Sequence, residues 1–149
     1  MKAMDFKVRI PFVHLLGMEL LRFDPGVAEL GLTLRDELTN SWGVAHGGVT
    51  MTLLDVAMAH AARTPSERGG ALEAGGVVTI EMKTSFMRPG QGRLVAEGRR
   101  LHRTASLAFC EGTVRDEKGE VVGHATGTFK YLSGLPVGGK RVNKLNASD

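Results

Sequence analysis

Residues 40–63 read NSWGVAHGGVTMTLLDVAMAHAAR, and the rest of the chain is interpreted around this stretch. Between Val49 and Ala62 the only ionisable side chains are Asp55 and His60. A run rich in Ala, Leu and Met suits a helix, and hydrophobicity on nearly every side predicts a buried one. A buried carboxylate is costly unless it is paired or used, so Asp55 is the first candidate functional residue.

The predicted helix begins with two glycines, Gly47 and Gly48, which follow His46. The first backbone N–H groups of a helix have no partner within the helix, and they attract anions or developing oxyanions. Glycine also lets a ligand approach the backbone closely, because it has no side chain. The sequence therefore predicts an oxyanion site and an acid on the same helix.

The spacing of these two features predicts a dimer. Gly48 and Asp55 are seven residues apart, which corresponds to roughly 10 Å along one helix. A base and an oxyanion donor that act on one carbonyl should each lie within about 3 Å of the reacting group. One helix cannot easily place both, whereas two antiparallel copies can combine the amide end of each with the carboxylate of the other. We therefore expect a homodimer with two shared sites.

Composition indicates one soluble globular domain over residues 1–149, with 42% hydrophobic and 23% charged residues. No apolar stretch reaches the ~20 residues of a membrane span, and residues 1–12 are too charged for a secretory signal. We therefore expect a cytoplasmic protein without a membrane partner. A net charge of only +3, with few aromatic residues and no aromatic–basic interleaving, argues against nucleic acid binding. The single Cys110 is expected to be a small core residue.

The segments around the helix have the patterns of strands. A turn signal, Asp24-Pro25-Gly26, joins the first two of them. The predicted strands are Met18–Phe23, Val27–Leu34, Val77–Phe86, Leu94–His102, Ala105–Arg115 and Val121–Tyr131, with a short helical turn over Phe12–Leu16. Strict alternation over residues 77–86 places Thr79 on the same face as Glu81, opposite Met82.

Two strands, one long apolar helix and then a meander of strands predict an α+β fold, in which an antiparallel sheet wraps around the buried helix. The glycine-rich residues 64–76 are predicted to be a mobile lip over a site. Residues 12–131 form the predicted core, and residues 133–149 are predicted to be a flexible tail.

Several of these residues resemble the hotdog-fold acyl-CoA thioesterases. The resemblance rests on Asn40, Gly43, the run His46-Gly47-Gly48, and Asp55 nine positions after the histidine. It is strongest with the PaaI-like branch, which is named for phenylacetic acid degradation. Residues 86–89 (FMRP) and 127–129 (GTF) also fall where that family has similar residues. The resemblance covers residues 12–131 and implies the hotdog fold.

The resemblance implies hydrolysis of aryl- or medium-chain acyl-CoA thioesters and a role for each matched residue. The amide of Gly47 or Gly48 would polarise the thioester carbonyl. Asp55 would be the general base for water or the nucleophile. The resemblance implies three further catalytic residues. Asn40 would position the thioester or the water, and Thr79 would orient the attacking water. His46 would shape the start of the helix.

The same resemblance implies no cofactor, because coenzyme A is part of the substrate. A thioester is already activated, and no set of residues has the spacing of metal ligands. Basic residues would bind the phosphates of coenzyme A, and the candidates are Arg88, Arg100 and Arg103. The family implies a homodimer that shares its active sites and, usually, a homotetramer built as a dimer of dimers. A tetramer would follow if the outer faces of the sheets are apolar.

Two other functions remain as alternatives at this point. The same fold hosts hydratases and dehydratases that act on acyl thioesters, although their His-Phe-Pro-Gly-like signature is not found in this sequence. A non-catalytic acyl-CoA sensor is the alternative from a different class, and it would need a regulatory domain or a degraded site. Fold alone does not choose among these functions, so the prediction of hydrolysis depends on the matched residues.

Overall fold

The structure is a computed structural model that describes residues 2–65, 76–132, 135–137 and 140–142. Its elements are α1 (Pro11–Leu16), β1 (Glu19–Asp24), β2 (Val27–Thr33), a 3₁₀ turn (Asp36–Leu38), α2 (Gly47–Arg63), β3 (Val77–Phe86), β4 (Arg93–Arg103), β5 (Leu107–Arg115), β6 (Val121–Tyr131), β7 (Leu135–Val137) and β8 (Lys140–Val142). None of the helices described is both long and apolar enough to cross a membrane.

Six of the strands form one antiparallel sheet in the order β1-β2-β4-β5-β6-β3. The 17-residue helix α2 packs on one face of this sheet, and its residues Leu53, Leu54, Ala57 and Met58 are completely buried. The sheet contributes side chains such as the buried Phe129 to the same core. The predicted α+β hotdog fold is confirmed, with α2 as the helix around which the sheet wraps.

The helix lies closest to the sheet at Gly98 of β4. A Cβ on Gly98 would overlap the carbonyl group of Ala57 and lie 2.8 Å from the backbone nitrogen of Met58. Opposite Gly98 on β5 is Gly112, which also carries no side chain between sheet and helix. This close approach seats α2 directly on the backbone of the sheet, so the position of the helix, and of Asp55 on it, is fixed by packing.

A β-bulge in β3 corrects the predicted alternation of this strand. Thr79 pairs with Phe129 and Glu81 pairs with Thr128, so Ile80 is an extra residue between two consecutive pairs. Since side chains alternate along a strand, one extra residue moves those before it to the opposite face. The prediction that Thr79 shares a face with Glu81 is therefore wrong, and Thr79 faces the helix instead.

The outer face of the sheet is largely polar on β3, β5 and β6. Thr128 donates a hydrogen bond to Glu81 at 2.7 Å, and the His124 ring lies 3.7 Å from the Glu111 carboxylate. Phe109 is an exposed apolar residue on this face. The condition stated above for a tetramer, an apolar outer face, is met only in small part, and the tetramer stays a prediction.

Two further predictions fall mainly outside the described residues. The glycine-rich lip over residues 64–76 includes residues 66–75, which are not described. Within the tail of residues 133–149 the backbone is described only for β7 and β8, which pair as a two-stranded antiparallel sheet. The lip and the flexible tail therefore stay predictions.

Candidate active site

The amino-terminal end of α2 leaves one backbone amide available for a ligand. His46 is the N-cap residue, and its Nδ1 accepts a hydrogen bond from the Gly48 N–H at 2.9 Å. The His46 carbonyl accepts from the N–H groups of Val49 at 2.9 Å and Thr50 at 3.2 Å. The Gly47 N–H has no partner among the described residues. Of the two predicted oxyanion donors, Gly47 is therefore the one that is free.

His46 has a structural part in this arrangement. Because its Nδ1 accepts from an amide, that nitrogen carries no proton and the imidazole has its hydrogen on Nε2. The backbone of His46 is extended, with φ −60° and ψ 138°, and the ring turns back over the first turn of α2. His46 therefore caps the start of α2, and its part in catalysis stays a prediction.

Asn40 folds the loop that leads into α2. Its Oδ1 accepts hydrogen bonds from the backbone N–H of Trp42 at 2.9 Å and of Val44 at 3.4 Å. Gly43 lies in the left-handed region with φ 75°, which a side chain would disfavour. With Oδ1 used by the loop, the amide nitrogen of Asn40 has no hydrogen-bond partner recorded among the described residues.

Asn40 and Gly47 line the same cavity, which we call the amide cavity. Its volume is about 380 Å³, and its wall also includes Trp42, Phe86 and Arg88. The structure thus brings together the free Gly47 N–H and the amide group of Asn40. Both are hydrogen-bond donors, so this cavity suits a carbonyl oxygen that gains negative charge.

Asp55 lies half-buried on α2, and Thr79 of β3 holds its carboxylate. The Thr79 hydroxyl donates to Oδ1 of Asp55 at 2.7 Å, which the bulge at Ile80 makes possible. Burial raises the pKa of Asp55, and the hydrogen bond from Thr79 opposes this rise in part. A carboxylate with a raised pKa is a stronger base near neutral pH than an ordinary aspartate.

Asp55 and Thr79 line a second cavity, which we call the acid cavity. It also has a volume of about 380 Å³, and its wall includes Val56, Ala59 and the amino-terminal residues 8–11. The amide cavity and the acid cavity share no lining residue. Because Gly47 and Asp55 are eight residues apart, about 12 Å along the helix, a single chain presents its oxyanion donor and its acid in separate places.

The predicted coenzyme A ligands are placed differently from one another. Arg88 borders the amide cavity and donates to the Val121 carbonyl at 2.9 Å. Arg100 donates to the carbonyls of Ala62 and Thr64 at the end of α2. The guanidinium of Arg103 lies 4.1 Å from the centre of the Tyr131 ring. Of the three, only Arg88 lines either of the two cavities.

The sequence missed part of the acid cavity. Residues 8–11 precede the region covered by the resemblance, and they line the cavity in a segment that follows the bridge between Met4 and Leu20 of β1. His60 also lines this cavity, and it is buried with its Nδ1 2.8 Å from the Val56 carbonyl. Burial lowers the pKa of His60 to about 4, so the ring is neutral near pH 7.

Cys110 can be set aside as a nucleophile. It is buried, as predicted, and burial raises the pKa of its thiol to about 12. The reactive form of cysteine is the thiolate, which is absent near neutral pH when the pKa is so high.

Comparisons with known proteins identify the family of this chain. The family profile of the thioesterase superfamily matches residues 43–123. The medium/long-chain acyl-CoA thioesterase YigI of Escherichia coli K12 is 28% identical over 137 residues, which cover 83% of this chain and 87% of YigI.

Two solved structures have the same fold. The conserved protein PA5202 of Pseudomonas aeruginosa is 30% identical with a TM-score of 0.76, covering 85% of this chain and 97% of that one. A point variant of the phenylacetic acid degradation protein PaaI of Thermus thermophilus is 29% identical with a TM-score of 0.71, covering 83% and 100%. The profile spans more than half of the sequence, and the chain belongs to the thioesterase superfamily.

Proposed function

We propose that this protein hydrolyses acyl-CoA thioesters to the free acid and coenzyme A, at sites shared between two chains. The observation that carries the proposal is the arrangement on α2, where Gly47 offers a free amide and Asp55 carries a hydrogen bond from Thr79. In a thioesterase-superfamily fold these are the two groups that thioester hydrolysis needs. The proposed chemistry uses no metal and no cofactor.

In the proposed reaction the thioester carbonyl oxygen accepts a hydrogen bond from the Gly47 N–H. As water attacks, this oxygen becomes negative, and the amide at the positive end of the helix dipole stabilises it. Asp55 takes a proton from the attacking water while the new C–O bond forms. The C–S bond then breaks, and the proton passes to the departing thiolate of coenzyme A. Direct attack by Asp55 on the carbonyl is the second route that the same geometry allows.

The edge of the sheet supports a shared site. β3 is an edge strand, and an edge presents unpaired backbone groups to another chain. Three apolar side chains on or beside this strand are more than half exposed: Ile80, Phe86 and Met87. Antiparallel pairing of two copies of β3 would bury them and lay the two α2 helices side by side. Gly47 of one chain would then approach Asp55 of the other.

The wall of the acid cavity supports an aryl- or medium-chain acyl group. Val56, Ala59 and Val77 are apolar, and so are Ile10 and Pro11 of the amino-terminal segment. A largely apolar cavity of this size is typical of a pocket for a small organic ligand.

A cytoplasmic location is part of the proposal, since a chain with a single cysteine has no intrachain disulfide to suggest an oxidising compartment.

The test of this function is release of thiol from a panel of phenylacetyl-, hydroxybenzoyl-, short-chain and medium-chain acyl-CoAs. We expect hydrolysis of aryl- or medium-chain members, with the free acid as the second product. Binding of acyl-CoA without turnover of any member would contradict the proposal and point to the sensor. Hydration of an enoyl-CoA without thiol release would point to the hydratase alternative.

A further inference from the structure

We infer that Arg9 and Arg63 form an anion-binding subsite in the acid cavity, which recognises a negatively charged group of the substrate. The group is either a carboxylate at the far end of the acyl chain or a phosphate of coenzyme A. This inference rests on the proposed function, because it concerns a second part of the same substrate. Neither arginine was among the predicted ligands of coenzyme A.

The first observation is the position of the two arginines. Asp55, Ala59 and Arg63 follow one another at intervals of four residues, so they lie along one side of α2. Arg63 is thus about 12 Å from Asp55 along the helix. Arg9 lines the same cavity, as part of the segment of residues 8–11. Both arginines therefore line the cavity that contains the proposed base, Asp55.

The second observation is that neither arginine has a counter-charge within the described part of the chain. Five other arginines each lie within 4 Å of a carboxylate oxygen, and they are Arg22, Arg35, Arg88, Arg93 and Arg99. Arg100 instead binds carbonyl groups at the end of α2. In the described residues Arg9 and Arg63 make neither kind of contact. The cavity's one acid, Asp55, is held by Thr79.

The partly buried guanidinium of Arg63 is destabilising, because it has no anion beside it among the described residues. Its Nε is buried and has no hydrogen-bond partner among the described residues. Desolvation by burial lowers the pKa of Arg63, which means that the folded chain disfavours its charge. A partly buried cation that lacks an anion destabilises a protein unless a ligand supplies one. Guanidinium groups bind carboxylate and phosphate oxygens through two parallel hydrogen bonds, so these are the ligands that fit.

The test measures direct binding of four thioethers that resist hydrolysis. The probes combine two chains of equal length, S-alkyl and S-(ω-carboxyalkyl), with two carriers, coenzyme A and N-acetylcysteamine. Each chain is attached to each carrier, which gives the four compounds. We expect Arg63→Gln to raise Kd by about 10- to 100-fold for the probes that carry the recognised anion. Arg9→Gln should raise Kd for the same probes, and it serves as the second variant if Arg63→Gln does not fold. Arg99→Gln, on the outer face, is the matched control.

The pattern of losses identifies the source of the anion. Losses for both coenzyme A probes alone assign the subsite to a phosphate, and losses for both carboxylate probes alone assign it to the acyl chain. Values of Kd within twofold of wild type for all four probes in both variants, or no binding of any probe to wild type, overturn the inference. Because these probes do not react, the result is independent of whether the panel of acyl-CoAs is hydrolysed.

Discussion

Replacing Asp55 by Asn is expected to lower kcat for thioester hydrolysis by about 10²- to 10⁴-fold, the usual contribution of a positioned general base. Asn has the same shape as Asp, and its Oδ1 can still accept the hydrogen bond that Thr79 donates at 2.7 Å in the wild type. The substitution therefore removes the base without removing the contact. The rate of thiol release on the best substrate of the panel measures the effect.

The stability of the Asp55→Asn variant is its control. Burial raises the pKa of Asp55 in the folded chain, so the stability that this group contributes is present at low pH and lost as pH rises through the raised pKa. Asn carries no charge to desolvate. Near pH 7 the Tm of the variant should equal or exceed that of wild type. A variant that keeps its Tm and retains kcat within threefold of wild type would show that Asp55 is not the base.

The raised pKa of Asp55 predicts that the rate of hydrolysis falls at low pH, which gives the pH–rate profile an acid limb. Activity requires ionised Asp55, so kcat should fall as pH decreases through a value above the usual range for aspartate. The residual activity of Asp55→Asn should lack this limb. Thr79→Val removes a hydrogen bond that favours the charged carboxylate, so it should move the limb to higher pH.

Gly47→Pro is expected to lower kcat by about 10²- to 10³-fold, the usual effect of losing one oxyanion donor. Proline has no backbone N–H, and position 47 is the first residue of α2, where proline is well tolerated. The preceding residue, His46, is already extended, as a residue before proline must be. The substitution thus replaces the amide hydrogen by the ring Cδ, so the site loses this donor with little change to the helix.

Gly47→Ala is the matched control for this substitution. A Cβ at Gly47 would lie 3.5 Å from the Phe86 ring, an ordinary contact, and the N–H is retained. Its kcat should therefore stay within a few-fold of wild type, as measured by thiol release on the same substrate. Equal losses in the proline and alanine variants would mean that the Gly47 amide does not stabilise the oxyanion.

The sequence predicted the parts of the site that depend on local signals. The apolar run of residues 49–62 and the glycines before it are sufficient to predict a buried helix with Asp55 on it and donors at its start. The availability of one donor was not predictable, because it depends on the direction in which the His46 ring turns. That ring accepts the amide of Gly48, and among the described residues the amide of Gly47 has no partner.

Long-range pairing explains what the sequence could not show. The bulge at Ile80 is invisible in β3 itself, since an apolar residue at this position fits the regular alternation as well. Only the register with β6, in which Thr79 pairs with Phe129, turns the hydroxyl toward Asp55. The acid cavity likewise combines residues 8–11 of the amino-terminal segment with residues of α2 and β3. Contacts between segments far apart in sequence determine both features.

We propose that each active site combines Gly47 of one chain with Asp55 of another. The most direct measurement is the activity of a heterodimer of Asp55→Asn and Gly47→Pro chains, isolated through a different affinity tag on each chain. One of its two sites then carries both substitutions and the other carries neither, so we predict roughly half of the wild-type kcat per dimer, although both parent homodimers are nearly inactive. A heterodimer as inactive as its parents would contradict the claim, since sites within single chains would each retain one defect.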